Sequence, residues 1–118
     1  MSATASQAPG LVLVWVTQDP EAIRHMIFMY AKNSRLKGWW DDVLLIVWGP
    51  SARLLSEDVE LQAELADIQQ AGVRVQACKA CADRYGVSER LQALNVEVVY
   101  VGQALTDHLK GGSKVLSI

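Results

Sequence analysis

"LVLVWVTQDP", residues 11–20, decides the fold. Residues 11–16 form an unbroken apolar run rich in β-branched side chains, the pattern of a strand covered on both faces. Asp19 then offers a side-chain oxygen to the free amides of a helix start, and Pro20 suits the first helical position. A doubly covered strand running straight into a helix is the first half of a βαβ unit.

The rest of the chain repeats that order. The first helix is expected over 20–35, with Ile23, Met26, Ile27, Tyr30 and Ala31 as its apolar stripe and Lys37-Gly38 as its end. "DVLLIVWG" (42–49) reads as a second buried strand, and Pro50 turns the chain because it cannot continue the ladder. In "SEDVELQAELADIQQAG", Ser56 is the expected cap and Val59 opens an apolar face continued by Leu61, Leu65 and Ile68. Glu57 and Asp58 sit in the first turn, where the helix dipole favours them, and Gly72 is the stop. "VRVQA" (73–77) is a third strand. A short helix is expected over 78–85, and Ser88 caps another through 94. "VEVVYV" (96–101) is a fourth strand, Gly102 opens a turn, residues 105–109 suggest a last helix, and "SKVLSI" is a final strand or tail.

Strands alternating with helices imply right-handed crossovers and a parallel sheet covered on both faces. The expectation is one α/β domain over 11–118, a three-layer α/β/α arrangement with a mostly parallel sheet of about five strands. Residues 1–10, "MSATASQAPG", read as a flexible lead-in. At 118 residues the chain suits one core and not two.

Composition narrows the function. The net charge is −2, and no lysine or arginine cluster stands out, so the footprint of a nucleic-acid binder is missing. No apolar run is long enough to cross a bilayer, and no basic-then-apolar start marks a secretory signal. The cytoplasm is the default expectation, and with only two cysteines a disulfide framework is not expected there.

In open parallel sheets, chemistry sits beyond the carboxyl ends of the strands. Those ends are Thr17-Gln18, Gly49-Pro50-Ser51, Cys78 and Gly102-Gln103. With Trp48 and Lys79 they outline an expected pocket around Cys78. Both cysteines lie in "VRVQACKACADRYG" (73–86), three residues apart. Four readings fit the pair. Both could be inert, buried hydrophobes. A zinc site needs about four ligands, and His25, His108 and the carboxylates show no recognisable ligand spacing, so no metal is expected. A thioredoxin-like dithiol would use the helix start, aided by Lys79, to lower the pKa of Cys78. The cis-proline that usually faces such a pair is not evident. Finally, a thiolate at a helix start can hold sulfane sulfur as a persulfide, with Cys81 as a resolving thiol or as packing.

Three segments bear a resemblance to the DsrE/DsrF-like family of small sulfur-relay proteins: "VLLIVWGPSARLL", "GVRVQACKACADRYGV" and "VEVVYVGQALTDHLKGGSKVL". The most specific feature is the Cys-x7-Gly spacing from Cys78 to Gly86 after a hydrophobic strand. It resembles the segment where sulfur-carrying members of the DsrE and TusD type hold their active cysteine. The resemblance implies a flavodoxin-like fold, trimers or hexamers of the chain, sulfur donor and acceptor proteins as partners, no cofactor, and a sulfurtransferase or carrier role with Cys78 as the persulfide site. The chain departs from those members at Lys79-Ala80-Cys81-Ala82-Asp83, where theirs is small and apolar. Two other classes stay open: a non-catalytic oligomeric binding module on the same fold, and a Cys78/Cys81 thiol–disulfide protein.

Other residues have plainer expectations. His25 lies beside the first helix's apolar stripe, as a half-buried or interface residue. His108 is a surface residue near the end of the last helix, where its positive form would suit the dipole. Trp39 and Trp40, with Lys37 and Asp41, make an amphipathic patch that is either edge packing or a protein interface.

Overall fold

The computed structural model describes residues 10–118, so of the expected lead-in only Gly10 falls within it. Strand β1 (Leu11–Trp15) is buried along its whole length. Helix α1 spans residues 20–36 and is made of Pro20–Ala22, a π-helical segment Ile23–Phe28 and Met29–Leu36. Next come β2 (Val43–Val47), α2 (Pro50–Glu57) and α3 (Val59–Gln70). They are followed by β3 (Arg74–Cys78), α4 (Lys79–Tyr85) and α5 (Ser88–Ala93). The chain closes with β4 (Glu97–Val99), α6 (Val101–Lys110) and β5 (Lys114–Ser117).

The five strands form one parallel sheet in the order β4-β3-β2-β1-β5, and the fold is the expected flavodoxin-like α/β sandwich. The order explains how the helices are shared out. Strands β1 to β4 step in one direction, so right-handed crossovers put α1 to α5 on a single face. The step from β4 back to β5 runs the other way, and α6 must cross the opposite face. The core divides accordingly. Leu13, Trp15, Leu45, Val47, Val75 and Ala77 meet Ile23, Ile27, Leu55, Leu65 and Leu91 on the thick side. Val12, Val14, Leu44, Ile46 and Cys78 meet Val101 and Leu105 on the thin side.

Several local expectations are corrected. Pro50 turns the chain, but it also starts a helix, since a proline lacks only an amide that the first turn leaves free anyway. Ser56 is a buried residue inside that helix, with its hydroxyl donating to the Arg53 carbonyl. Asp58 is the cap of α3 and accepts from the Leu61 amide at 3.0 Å. Val59 is 74% exposed and is no part of the apolar face, which begins at Leu61. Ser88 is the first residue of α5 and its hydroxyl donates to Asp83, not to its own helix. On α1, Met26 points outward, while Phe28 and Ser34 join the buried side. The π-helical segment spreads each turn over more residues and so displaces a stripe counted at 3.6 per turn. The run 96–101 is a strand only over Glu97–Val99, because Val101 already opens α6. Gly102 is therefore a helical residue, and a Cβ there would meet nothing within 4 Å. The expected turn at Gly102 is absent.

Candidate functional site

Cys78 ends β3 and caps α4, with extended backbone at φ −65 and ψ 114. Its sulfur therefore folds over the first turn of α4 and accepts from the Cys81 amide at 3.4 Å. Gly86, in the left-handed conformation at φ 70, stops α4 after two turns, which is what the residue at the end of the Cys-x7-Gly spacing does for the backbone. A strand-to-helix junction could aim its side chain at the open end of the sheet. Here the β3 pleat turns Cys78 onto the thin face instead, and it is only 6% exposed. Cys81 is half-buried and packs against the same cluster, together with Trp48 and Val99. Ala82, one position on, faces the thick core.

Burial holds the Cys78 thiol above its ordinary value of 9.0, and the Cys81 side chain adds to that rise. The amides of Cys81 and Ala80 favour the thiolate but are outweighed. The sequence expectation of a lowered pKa thus meets a competing cost, which is desolvation under α6. Lys79 does not offset it. Its ammonium is 2.8 Å from an Asp83 carboxylate oxygen and 5.9 Å from the centre of the Tyr100 ring. Asp83 also accepts from the Ser88 hydroxyl at 2.6 Å. The Asp83 pairing pushes the Lys79 pKa up; Lys79 and then Ser88 hold Asp83 below the usual carboxylate range.

The expected pocket assembles only in part. Trp48 and Lys79 stand with the cysteines, and Gly49-Pro50 turn the chain directly after Trp48. Gly49 takes φ 73 and ψ −137, a conformation that only glycine adopts freely, so this turn sets where Trp48 ends and α2 begins. Ser51 is fully buried and donates to the Trp15 and Trp48 carbonyls at 2.6 and 3.0 Å. Thr17 and Gln18 follow β1, two strands away from β3. The Thr17 carbonyl accepts from the Trp15 indole at 2.8 Å, and its hydroxyl accepts from the Asp19 amide at 3.1 Å, so its polar atoms serve local structure. Gly102 and Gln103 are exposed on α6, and the Gln103 amide reaches Asp107 on its own helix at 3.0 Å. Sequence reading missed Val101 and Tyr100. Val101 is fully buried against the cysteine cluster; Tyr100 is 65% exposed at the rim. Their position in a β-rich run hid the helix start that places them.

A second concavity lies far from the thiols, beside the outer strand β5. It is a groove of about 420 Å³ lined by His25, Met26, Met29, Tyr30, Trp39 and Leu116. His25 is exposed and not half-buried. The two tryptophans part company. Trp39 is 55% exposed with its ring 5.9 Å from that of Tyr30, while half-buried Trp40 donates its indole N–H to the Tyr30 hydroxyl at 3.2 Å. His108 is half-buried, 3.2 Å from the Ser113 hydroxyl. Among the described residues, no three His, Cys, Asp or Glu side chains cluster to hold a metal ion. No described helix is long and apolar enough to cross a membrane.

Comparison with solved structures finds BT1422 of Bacteroides thetaiotaomicron, a conserved protein of unknown function. It is 36% identical, with a TM-score of 0.91 over 100% of this chain and 98% of that one. MTH1491 of Methanobacterium thermoautotrophicum, also of unknown function, is 17% identical with a TM-score of 0.75 over 94% of this chain and 100% of its own. The ychN protein of E. coli is 19% identical with a TM-score of 0.71 over the same shares. No curated protein matches. The model of the DsrE/DsrF-like family matches residues 13–118, nearly the whole described chain, and the chain belongs to that family.

Proposed function

We propose that this chain carries sulfane sulfur as a persulfide on Cys78 and hands it to a partner protein. The observation that supports this most is the seat of Cys78 at the end of β3, with its sulfur receiving the Cys81 amide at the start of α4. A sulfur anion held there meets backbone donors that need no rearrangement. The transfer is redox-neutral. The Cys78 thiolate attacks the outer sulfur of a donor persulfide, the donor's S–S bond breaks, the donor thiol leaves, and Cys78 keeps the outer sulfur. A partner thiolate attacks that same sulfur in the second half. Burial keeps resting Cys78 as the thiol, so loading depends on the donor opening the thin cover over it. The cytoplasm, where thiols stay reduced, suits this chemistry.

The test uses a chain with one thiol. Cys81→Ser incubated with glutathione persulfide should gain the mass of one sulfur atom, lost again on reduction. Cys78→Ser/Cys81→Ser should gain none. Equal loading of both would end the proposal.

A second reading, an oligomeric binding module with silent thiols, draws on the β5 groove. Met26, Met29, Trp39 and Leu116 are all at least 40% exposed there, beside a strand paired on one side only. Such apolar surface at a sheet edge suits contact between copies of the chain, in the trimer or hexamer that the family resemblance implies. Trp39→Glu should lower the mass in solution under this reading, as followed by sedimentation. Sulfur loading should then be absent from the native chain.

A further inference from the structure

The chain has two cysteines, so a sulfur held on Cys78 has one intramolecular thiol to meet. That thiol is close. Cys81 stands one helical turn on, its amide is 3.4 Å from the Cys78 sulfur, and both side chains pack in the apolar cluster closed by Val99 and Val101. The extended backbone at Cys78 folds its side chain back over this turn, so that its sulfur meets the Cys81 amide. The exposures are unequal: Cys78 is buried and Cys81 half-buried, so solvent and small thiols reach Cys81 first. Both are free thiols.

We propose that Cys81 makes this chain a sulfide-releasing device and not a passive carrier, an inference that rests on the loading of Cys78 proposed above. The Cys81 thiolate attacks the inner sulfur of the persulfide, the one that belongs to Cys78. The bond to the outer sulfur breaks, hydrosulfide leaves with the electron pair, and a Cys78–Cys81 disulfide forms. Two thiols are oxidised and one sulfane sulfur is reduced to sulfide, so no outside oxidant is consumed. A cellular thiol or dithiol reductant, entering at the more exposed Cys81, returns the pair to the reduced state. The substrate class is then any low-molecular-weight or protein persulfide that can load Cys78. The products are its thiol and sulfide.

The experiment loads wild type, Cys81→Ser and Cys78→Ser with glutathione persulfide and follows free sulfide together with intact mass, without reductant. Wild type should release sulfide and end lighter than the starting chain by two hydrogens. Cys81→Ser should keep its added sulfur and release sulfide about tenfold more slowly or less, since the positioned thiol is gone. Cys78→Ser should release none above the donor blank. A wild-type chain that holds its added sulfur as long as Cys81→Ser does would overturn the inference while leaving Cys78 as a carrier. If Cys81→Ser takes up no sulfur, the carrier reading fails and this inference falls with it. Cys81→Ala repeats the comparison if the serine variant does not fold, with denaturant unfolding as the check.

Discussion

The two faces of this sheet are built from the same strands and differ in depth. Helices α1 to α5 cover one side with interlocking apolar layers; α6 alone covers the other. Leu44 and Leu45 show the contrast best, since they are neighbours in β2, equally buried, and point to opposite sides. On the thick side a buried group is boxed in by several elements. On the thin side α6 is the one covering helix; Cys78 lies under it, and Cys81 reaches the same cluster from the start of α4. Apolar burial alone does not mark where chemistry is feasible. The number of elements that must move to expose a group does.

Truncation should break the symmetry between those two leucines. Leu45→Ala is expected to cost about 4 kcal/mol in denaturant unfolding, near the upper part of the range for buried leucines, because the thick core cannot close over the cavity. Leu44→Ala should cost about 2–3 kcal/mol, since one helix can settle onto the gap. Equal losses would mean that the two faces are equally rigid. Asp58→Ala tests a boundary on the thick side only. Removing the cap of α3 should cost about 1 kcal/mol, with the thiols' labelling rates unchanged.

A pH series sharpens the thin-face side of the comparison with a smaller effect. The folded-state pKa of Cys78 lies above its ordinary 9.0, so its contribution is fully present below that value and is lost as pH rises through the raised one. Above pH 9, the thermal midpoint of wild type should fall further than that of Cys78→Ala, which lacks the buried thiol. Parallel curves would show that burial of this thiol carries no linkage. At neutral pH, alkylation should mark Cys81 before Cys78.

Much of the fold was legible because β1 and β2 are continuous apolar runs, and such runs have few other homes in a short chain. The candidate site was legible in its placement, since strand ends in parallel sheets are where chemistry gathers, and Trp48 does pack against the cluster that holds Cys78. What stayed hidden has physical reasons. The start of α6 lies inside "VEVVYV", whose β-branched residues suit a strand equally well, although the strand ends at Val99 and the helix begins at Val101. The cap of α3 was misplaced because Ser56 and Asp58 are both good caps, and a helix ending at Glu57 decides between them. The π-helical segment of α1 leaves no periodic trace, yet it sends Met26 outward. Thr17 and Gln18 follow β1 as expected, but lateral distance across a sheet is not written in spacing along the chain; Gln103 lies in the first turn of α6, where a strand end and turn were expected.

The placement of β5 beside β1 has a consequence for how the molecule comes into being. Leu11 pairs with Lys114, and the Ile118 carbonyl accepts from the Val16 and Thr17 amides. Among the described strands, the earliest in the chain therefore waits for the latest, and one flank of β1 stays open until β5 is in place. Contacts that span so much of the chain are slow to close. Until they do, the thin face that carries Cys78 lacks the cover that α6 gives it in the folded chain.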